Sequence, residues 1–244
     1  MIPSPIPKAL SSIRRRQVQY LLMGGQACIL YGAAEFSRDI DIALVADADN
    51  LSRLGSALED LGAERIAVPP FDIAHLRRGH AIHFRCQAPG VEGLRLDVMS
   101  VLRGVAPFPE LWERRSTFTI GDEHFDVMAL SDLVQAKKTQ RDKDWPMIRR
   151  LVEVNYFTHR AGPGPEQVLF WLTELRSPLL LLELAGSHPV EATRTPRPAV
   201  QAALGGDVAA IERELALEQA TAVEADRQYW MPLRQELESL RRRA

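Results

Sequence analysis

Apolar and polar positions follow two different rhythms along the chain. Val18 to Met23 reads VQYLLM, an apolar run that stops at Gly24-Gly25, as a buried strand would. Gln26 to Tyr31 then fits a short helix closed by Gly32. From Asp39 to Val45 the rhythm becomes strict alternation, with acids at 39 and 41 and aliphatics at 40, 42 and 44. Alternate side chains of a strand share a face, so this segment predicts a second strand with one apolar and one acidic side. Leu51, Leu54, Leu58 and Leu61 fall at helical spacing and predict a helix over 51–61, with Asn50 as its cap and Gly62 as its stop. Pro69-Pro70 opens a stretch to Gly79 in which neither rhythm holds. Ala81–Gln87 and Leu94–Ser100 read as a strand pair across the turn Ala88–Gly93.

Beyond residue 130 the helical rhythm takes over. Trp145–Phe157, Glu166–Arg176, Pro178–Leu184 and Val200–Leu204 fit helices, and Val208–Gln228 fits a long amphipathic one. Asp144 and Pro146 suit the start of the first of these. Pro232 should kink or restart the last helix, and Gly186–Pro198, with three prolines, reads as a loop. The segment AGPGP at Ala161–Pro165 marks a boundary. Residues 1–160 are therefore expected to form one domain and residues 166–244 a C-terminal helical region.

Composition narrows the class. With 244 residues, 46% of them hydrophobic and 25% charged, the chain matches an ordinary globular protein of one or two domains. A formal net charge of −2 supplies no global basic field for nucleic acid, and the Arg14–Arg16 and Arg241–Arg243 clusters read as solvated helix ends. Cys28 and Cys86 match no zinc spacing and fit buried thiols in a reducing cytosol. The six histidines show no spacing such as H-x-x-x-H, and no G-x-S-x-G occurs. No apolar run reaches the ~18 residues of a membrane span. The opening MIPSPIPKALSSIRRR carries its charge after its apolar residues, unlike a secretory signal. A cytoplasmic protein without membrane contact is expected.

The chemistry gathers on two strands. Asp39 and Asp41 share a face, and two adjacent carboxylates repel unless a cation offsets them. Mg²⁺ is suited to the task, since it prefers carboxylate oxygens together with substrate phosphates. In LRLDVMS (94–100) Asp97 again stands opposite an aliphatic row, on a face shared with Arg95 and Met99. Three carboxylates on neighbouring strands suit two metal ions ~3.5–4 Å apart, the arrangement that clamps both oxygens of a phosphoryl displacement. Gly24-Gly25 lets the backbone approach a ligand closely, and the helix start behind it suits a phosphate. The sequence is neither G-x-G-x-x-G nor a Walker A loop.

These residues together resemble the DNA polymerase beta-type nucleotidyltransferase superfamily. The resemblance covers about residues 18–156 and rests on GG, a helix, S-x-D-I-D-I and a later L-D-V. The nearest pattern is the bacterial abortive-infection toxin-like branch, whose helix D-L-x-x-x-K-x-x-x-R-x-K-D is similar to DLVQAKKTQRDKD at Asp132–Asp144, one extra residue aside. The resemblance implies an α/β (α+β) fold, with a mixed sheet flanked by helices, here followed by a C-terminal helical region. It implies that Asp39, Asp41 and Asp97 hold two Mg²⁺ ions, with Mn²⁺ an alternative, and that Gly24 and Gly25 cradle the terminal phosphates of a nucleoside triphosphate. Ser37, Arg38, Lys137 and Arg141 are the further nucleotide-binding candidates, the last two expected one turn apart on a helix face, where pairing with Asp142 or Asp144 is the other reading. The branch carries Arg where this chain has Glu35; either Arg38 offsets that charge or Glu35 faces solvent.

The implied reaction transfers a nucleoside monophosphate to an acceptor, with release of pyrophosphate. RNA, protein and a small molecule such as a hydroxylated antibiotic all remain open as acceptor. A homodimer or an antitoxin remains open as partner. The competing reading is a nucleotidyltransferase-like binding or regulatory module that has lost turnover, or one component of a toxin–antitoxin pair.

Overall fold

A computed structural model describes residues 5–243; Met1–Ser4, the start of the Pro-rich segment, and Ala244 lie outside the described residues. The elements run α1 (Pro5–Arg15), β1 (Tyr20–Met23), α2 (Gly24–Leu30), β2 (Asp39–Leu44), α3 (Ala48–Asp60), β3 (Glu64–Arg65), α4 (Ile73–Arg78), β4 (Ile82–Arg85) and β5 (Arg95–Met99). Then come α5 (Phe108–Glu113), β6 (Ser116–Ile120), β7 (Glu123–Val127), α6 (Leu130–Ala136), α7 (Asp144–His159), α8 (Pro165–Glu174), α9 (Pro178–Ser187), α10 (Pro189–Arg194), α11 (Pro198–Leu204) and α12 (Val208–Arg243). This is a mixed α/β fold with a C-terminal helical region.

The chain forms two compact units. Among the described residues, one contains 5–30, Ala34–Leu133 and 230–243; the other contains Tyr31–Ala33 and Val134–Tyr229.

The first unit is built on a seven-stranded sheet in the order β3-β4-β5-β2-β1-β7-β6. β2–β5 and β1–β7 are parallel, and the other neighbouring pairs are antiparallel. Every residue of β1 is buried, which explains its continuous apolar run. Leu21, Leu22, Ile40, Ile42, Leu44, Ile82 and Leu96 are almost wholly excluded from solvent and form the centre of this core. At ~25 cal/mol per Å² of apolar surface removed from water, such a row fixes the strand register, since a slip of one residue would turn the acids of β2 inward.

Several boundaries differ from the sequence expectations. α3 is capped by Asp47, whose side chain accepts from Asn50 N at 2.8 Å, so the helix begins before Asn50. Asn50 is instead 2% exposed. Its amide donates to Gln19 O at 2.9 Å and Val45 O at 3.1 Å, and its oxygen accepts from Gln19 N at 2.7 Å. It therefore fastens the start of α3 to the chain flanking β1 and β2. The Pro-rich opening is helical from Pro5, because a proline in a first helical turn forfeits no internal hydrogen bond. The stretch 68–79 contains α4, started by Asp72 and stopped by Gly79, whose φ of +101° suits a residue without a side chain. The β6–β7 hairpin turns at Gly121, and β7 joins the central sheet beside β1, with Leu22 opposite Val127.

In the second unit, prolines start helices. Pro165, Pro178, Pro189 and Pro198 open α8, α9, α10 and α11, so α10 lies inside the segment expected to be a loop. Tyr156 and Trp171 pack edge-to-face at 5.0 Å, with Trp171 Nε1 donating to Asn155 at 2.8 Å. α12 continues through Pro232 without ending. No described helix is long and apolar enough to cross a membrane.

Asn50 generates a stability prediction. Asn50→Ala leaves two carbonyls and one N–H without their partner, which should cost about 2–3 kcal/mol, against about 1 kcal/mol for the half-buried cap lost in Asp47→Ala. Urea unfolding of the two variants measures the difference; equal losses would show that Asn50 acts only as part of the cap.

Candidate active site

β2 and β5 run side by side, with Asp41 opposite Asp97 and Asp39 opposite Arg95. β4 places His83 opposite Asp97. Residues directly opposite on neighbouring strands point to the same side of a sheet. Asp39, Asp41, Asp97, Arg95 and His83 therefore share one face, while Ile40, Ile42, Leu96 and Val98 are buried on the other. The fold thus brings together the three aspartates read from the sequence.

Asp41 also meets the glycine turn. Gly24 has φ +64°, and a Cβ placed there would fall within the Asp41 carboxylate. A Cβ on Gly25 would collide with the Ser37 hydroxyl. Both glycines are thus required by close approach, one to the acid strand and one to the loop before it. Gln26 holds that loop, its amide donating to Ser37 O and Asp39 O at 3.2 Å each. Ser37 is half-buried and Glu35 is exposed. Arg38 is exposed, with its guanidinium 5.6 Å from the centre of the exposed Phe36 ring. A groove of about 430 Å³ beside this loop is lined by Gln26, Ile29, Glu35, Ser37, Arg38 and Leu94 among others. The three aspartates lie outside its lining.

Asp97 is the most buried of the three, with its side chain 12% exposed. Its Oδ1 accepts from Arg95 Nε at 2.7 Å and from His83 Nδ1 at 2.8 Å. Arg95 Nη2 also lies 3.1 Å from the same His83 Nδ1, so Asp97, His83 and Arg95 form one closed cluster. Burial by itself pushes Asp97 up, but the hydrogen bonds and charges of His83 and Arg95 outweigh it and hold the carboxyl below its ordinary range. Arg95 is pushed up, first by its hydrogen bond to Asp97 and then, against partial burial, by the charges of Asp97, Asp39 and Asp41. One cation is thus already stabilised by all three acids. His83 and Arg95 were not among the sequence candidates. Arg95 lies two residues before Asp97 on the same strand face, a signal available from alternation alone; His83 needed the β4–β5 register.

Lys137 and Arg141 correct the expectation of a helix through 132–144. α6 ends at Ala136 and α7 begins at Asp144, so the two residues are not neighbours on a helix face. Side chains capture the intervening turn. Asp144 accepts from Thr139 Oγ1 at 2.6 Å and Arg141 Nε at 2.7 Å, Trp145 Nε1 donates to Thr139 O at 2.9 Å, and Gln140 N donates to Asp226 at 2.9 Å. Such local bonds compete with helix continuation. Lys137 Nζ lies 3.6 Å from Asp144, so both cations face that one buried acid, within the second unit. Asp144 is the first residue of α7, and Lys143 holds the cap position.

No protein-family model and no curated protein matches the sequence. Among solved structures, the chain is similar to the lincosamide antibiotic adenylyltransferase LnuA in its lincomycin-bound form, at 16% identity and a TM-score of 0.45 over 62% of this chain and 96% of that one. It is similar also to JHP933 from Helicobacter pylori, at 13% identity and a TM-score of 0.39 over 93% of this chain and 94% of that one. At such scores the functional reading rests on the residues of this chain.

The pairing around Asp97 fixes a pH dependence in metal-free protein. Because its folded pKa is depressed, Asp97 contributes stability that is present above its unfolded pKa and lost as pH falls through the folded one. Arg95→Met removes one of the two donors to Oδ1. Carboxyl-detected NMR titration in chelator should show Asp97 titrating at higher pH in the variant, with acid unfolding following it upward; an unchanged titration would assign the depression to His83 alone.

Proposed function

We propose that this protein is a metal-dependent nucleotidyltransferase that moves a nucleoside monophosphate from a triphosphate to an acceptor hydroxyl and releases pyrophosphate. The observation that carries the reading is the register of β2 and β5. It sets Asp41 beside Asp97 with Asp39 two residues away on the same face, an arrangement with no benefit to folding. Like charges directly opposite each other destabilise a strand pair, and a divalent cation removes the penalty.

The residues fit such a group. Three hard oxygen donors share a face, and their field already stabilises the Arg95 guanidinium. Asp39 and Asp41 would hold the ion that accompanies the triphosphate, and Asp97 with Asp41 the one that serves the acceptor. When bound, the ions would supply charge neutralisation at the phosphoryl group and a lowered pKa at the attacking hydroxyl. The other side chains position. Gly24, lacking a side chain, leaves Asp41 in place; Gly25 admits Ser37; Gln26 fixes the backbone between Ser37 and Asp39. His83 and Arg95 hold Asp97 Oδ1, which orients its second oxygen. Arg38 is exposed beside the site and would meet phosphate or base as a solvent-facing cation. The acceptor hydroxyl belongs to RNA, to a protein or to a small molecule, and the assay below separates these.

One observation favours a second reading. Asp97 Oδ1 already accepts from two donors, so Arg95 competes with any metal for the third acid. A protein in which Arg95 stays in place would bind nucleotide without turning it over.

The test is transfer from each labelled triphosphate in Mg²⁺, with cell RNA, total protein or small hydroxylated acceptors present. The proposal expects label on one acceptor class. Asp97→Asn should bind the triphosphate nearly as the parent does but transfer about 10²–10³ times more slowly, the rate equivalent of losing ~3–4 kcal/mol of transition-state stabilisation. Asp41→Asn should lose both binding and transfer. Wild-type transfer by Asp97→Asn would exclude the two-metal reading, and binding without transfer to any acceptor would establish the binding module.

A further inference from the structure

Outside the aspartate site, one cluster has the chemistry of a metal centre. His75 lies in the last turn of α4. Gly79 reverses the chain there, and the His80 amide returns to donate to His75 O at 3.1 Å. The two imidazoles stand edge-to-face, 5.6 Å between centres. The closing part of α12, from Trp230 onward, belongs to the same compact unit and brings Glu236 to them. His80 Nε2 and Glu236 Oε2 are 2.9 Å apart. One ligand atom from each of His75, His80 and Glu236 lies within 4.8 Å of the other two.

A cation already occupies the convergence. Arg78 Nη2 lies 2.8 Å from His75 Nδ1 and 2.5 Å from Glu236 Oε1. An imidazole lone pair and a carboxylate therefore both point at one positively charged nitrogen. The Arg78 side chain is 50% exposed, whereas that of His80 is 1% exposed. The guanidinium can swing into solvent, while His80 stays buried.

We propose that His75, His80 and Glu236 form a binding site for a transition-metal dication of the Zn²⁺ class, with Arg78 as its displaceable stand-in. Two imidazole nitrogens and one carboxylate oxygen suit Zn²⁺ and leave a fourth position for water. Mg²⁺ demands oxygen ligands, so the two centres differ in metal class as well as in residues. Binding replaces the His80–Glu236 hydrogen bond with two metal bonds, and the His80 Nε2 proton passes to Nδ1 or to solvent. The bound ion ties the end of α12 to α4. The sequence concealed the site, because the histidines are five residues apart and the carboxylate lies 156 residues beyond His80.

The test uses the full chain stripped with chelator and titrated with Co²⁺, whose visible bands report low-coordinate nitrogen and oxygen ligation, followed by displacement with Zn²⁺. The expected result is strong visible bands that saturate at one equivalent, with binding weakened at least tenfold in His75→Ala and in Glu236→Gln. Arg78→Met should bind several-fold more tightly than the parent, a gain that misfolding cannot mimic. Circular dichroism checks the folding of each variant. Absence of visible bands in the parent, unaltered binding in His75→Ala, or no gain in Arg78→Met would each overturn the proposal.

Discussion

The first unit depends on placing three like charges on neighbouring strands. Asp41 and Asp97 stand directly opposite each other, and Asp39 is two residues away. The aliphatic residues between them, buried to near zero exposure on the other face, prevent any slip of register that would relieve the repulsion. What relieves it is local. Arg95 and His83 both donate to Asp97, and Arg95 feels all three acids. The core thus enforces a charge arrangement that only cations can stabilise.

The same constraint explains the glycine turn. A strand that must keep Asp41 on this face needs room for the carboxylate where β1 passes into α2, and Gly24 supplies it. Gly25 does so for Ser37, and Gln26 then ties the Ser37–Asp39 backbone to α2. Residues spaced along some twenty positions of sequence are thereby held against one another.

Much of this was legible in the sequence because it is local. Strand alternation put Asp39, Asp41 and Asp97 on acidic faces, and the apolar run before Gly24-Gly25 marked β1. The missed features depend on tertiary pairing or on side chains that compete with the backbone. Asn50 looked like a cap because it precedes a leucine stripe, but Asp47 reaches the cap first and Asn50 is drawn inside by the backbone at Gln19 and Val45. The helix expected through Lys137 and Arg141 fails because Thr139, Asp144 and Asp226 bond to the turn between α6 and α7. The prolines at 189 and 198 carry both meanings, loop marker and helix starter, and the sequence alone did not choose between them. β6 and β7 carry few aliphatics because much of the hairpin is exposed at the sheet edge, which left them without a readable pattern.

Glu35, which stands where the resembled branch carries Arg, is exposed and lines the groove together with Arg38. The central claim is then that the contact between Gly24 and Asp41 builds a site for a metal-bound triphosphate. Titration calorimetry of each triphosphate, with and without Mg²⁺, on the parent and on Gly24→Ala tests it most directly. The account predicts Mg²⁺-dependent binding by the parent and its loss in Gly24→Ala that remains folded by circular dichroism. Mg²⁺-independent binding, or full retention of binding when a methyl group displaces Asp41, would contradict it.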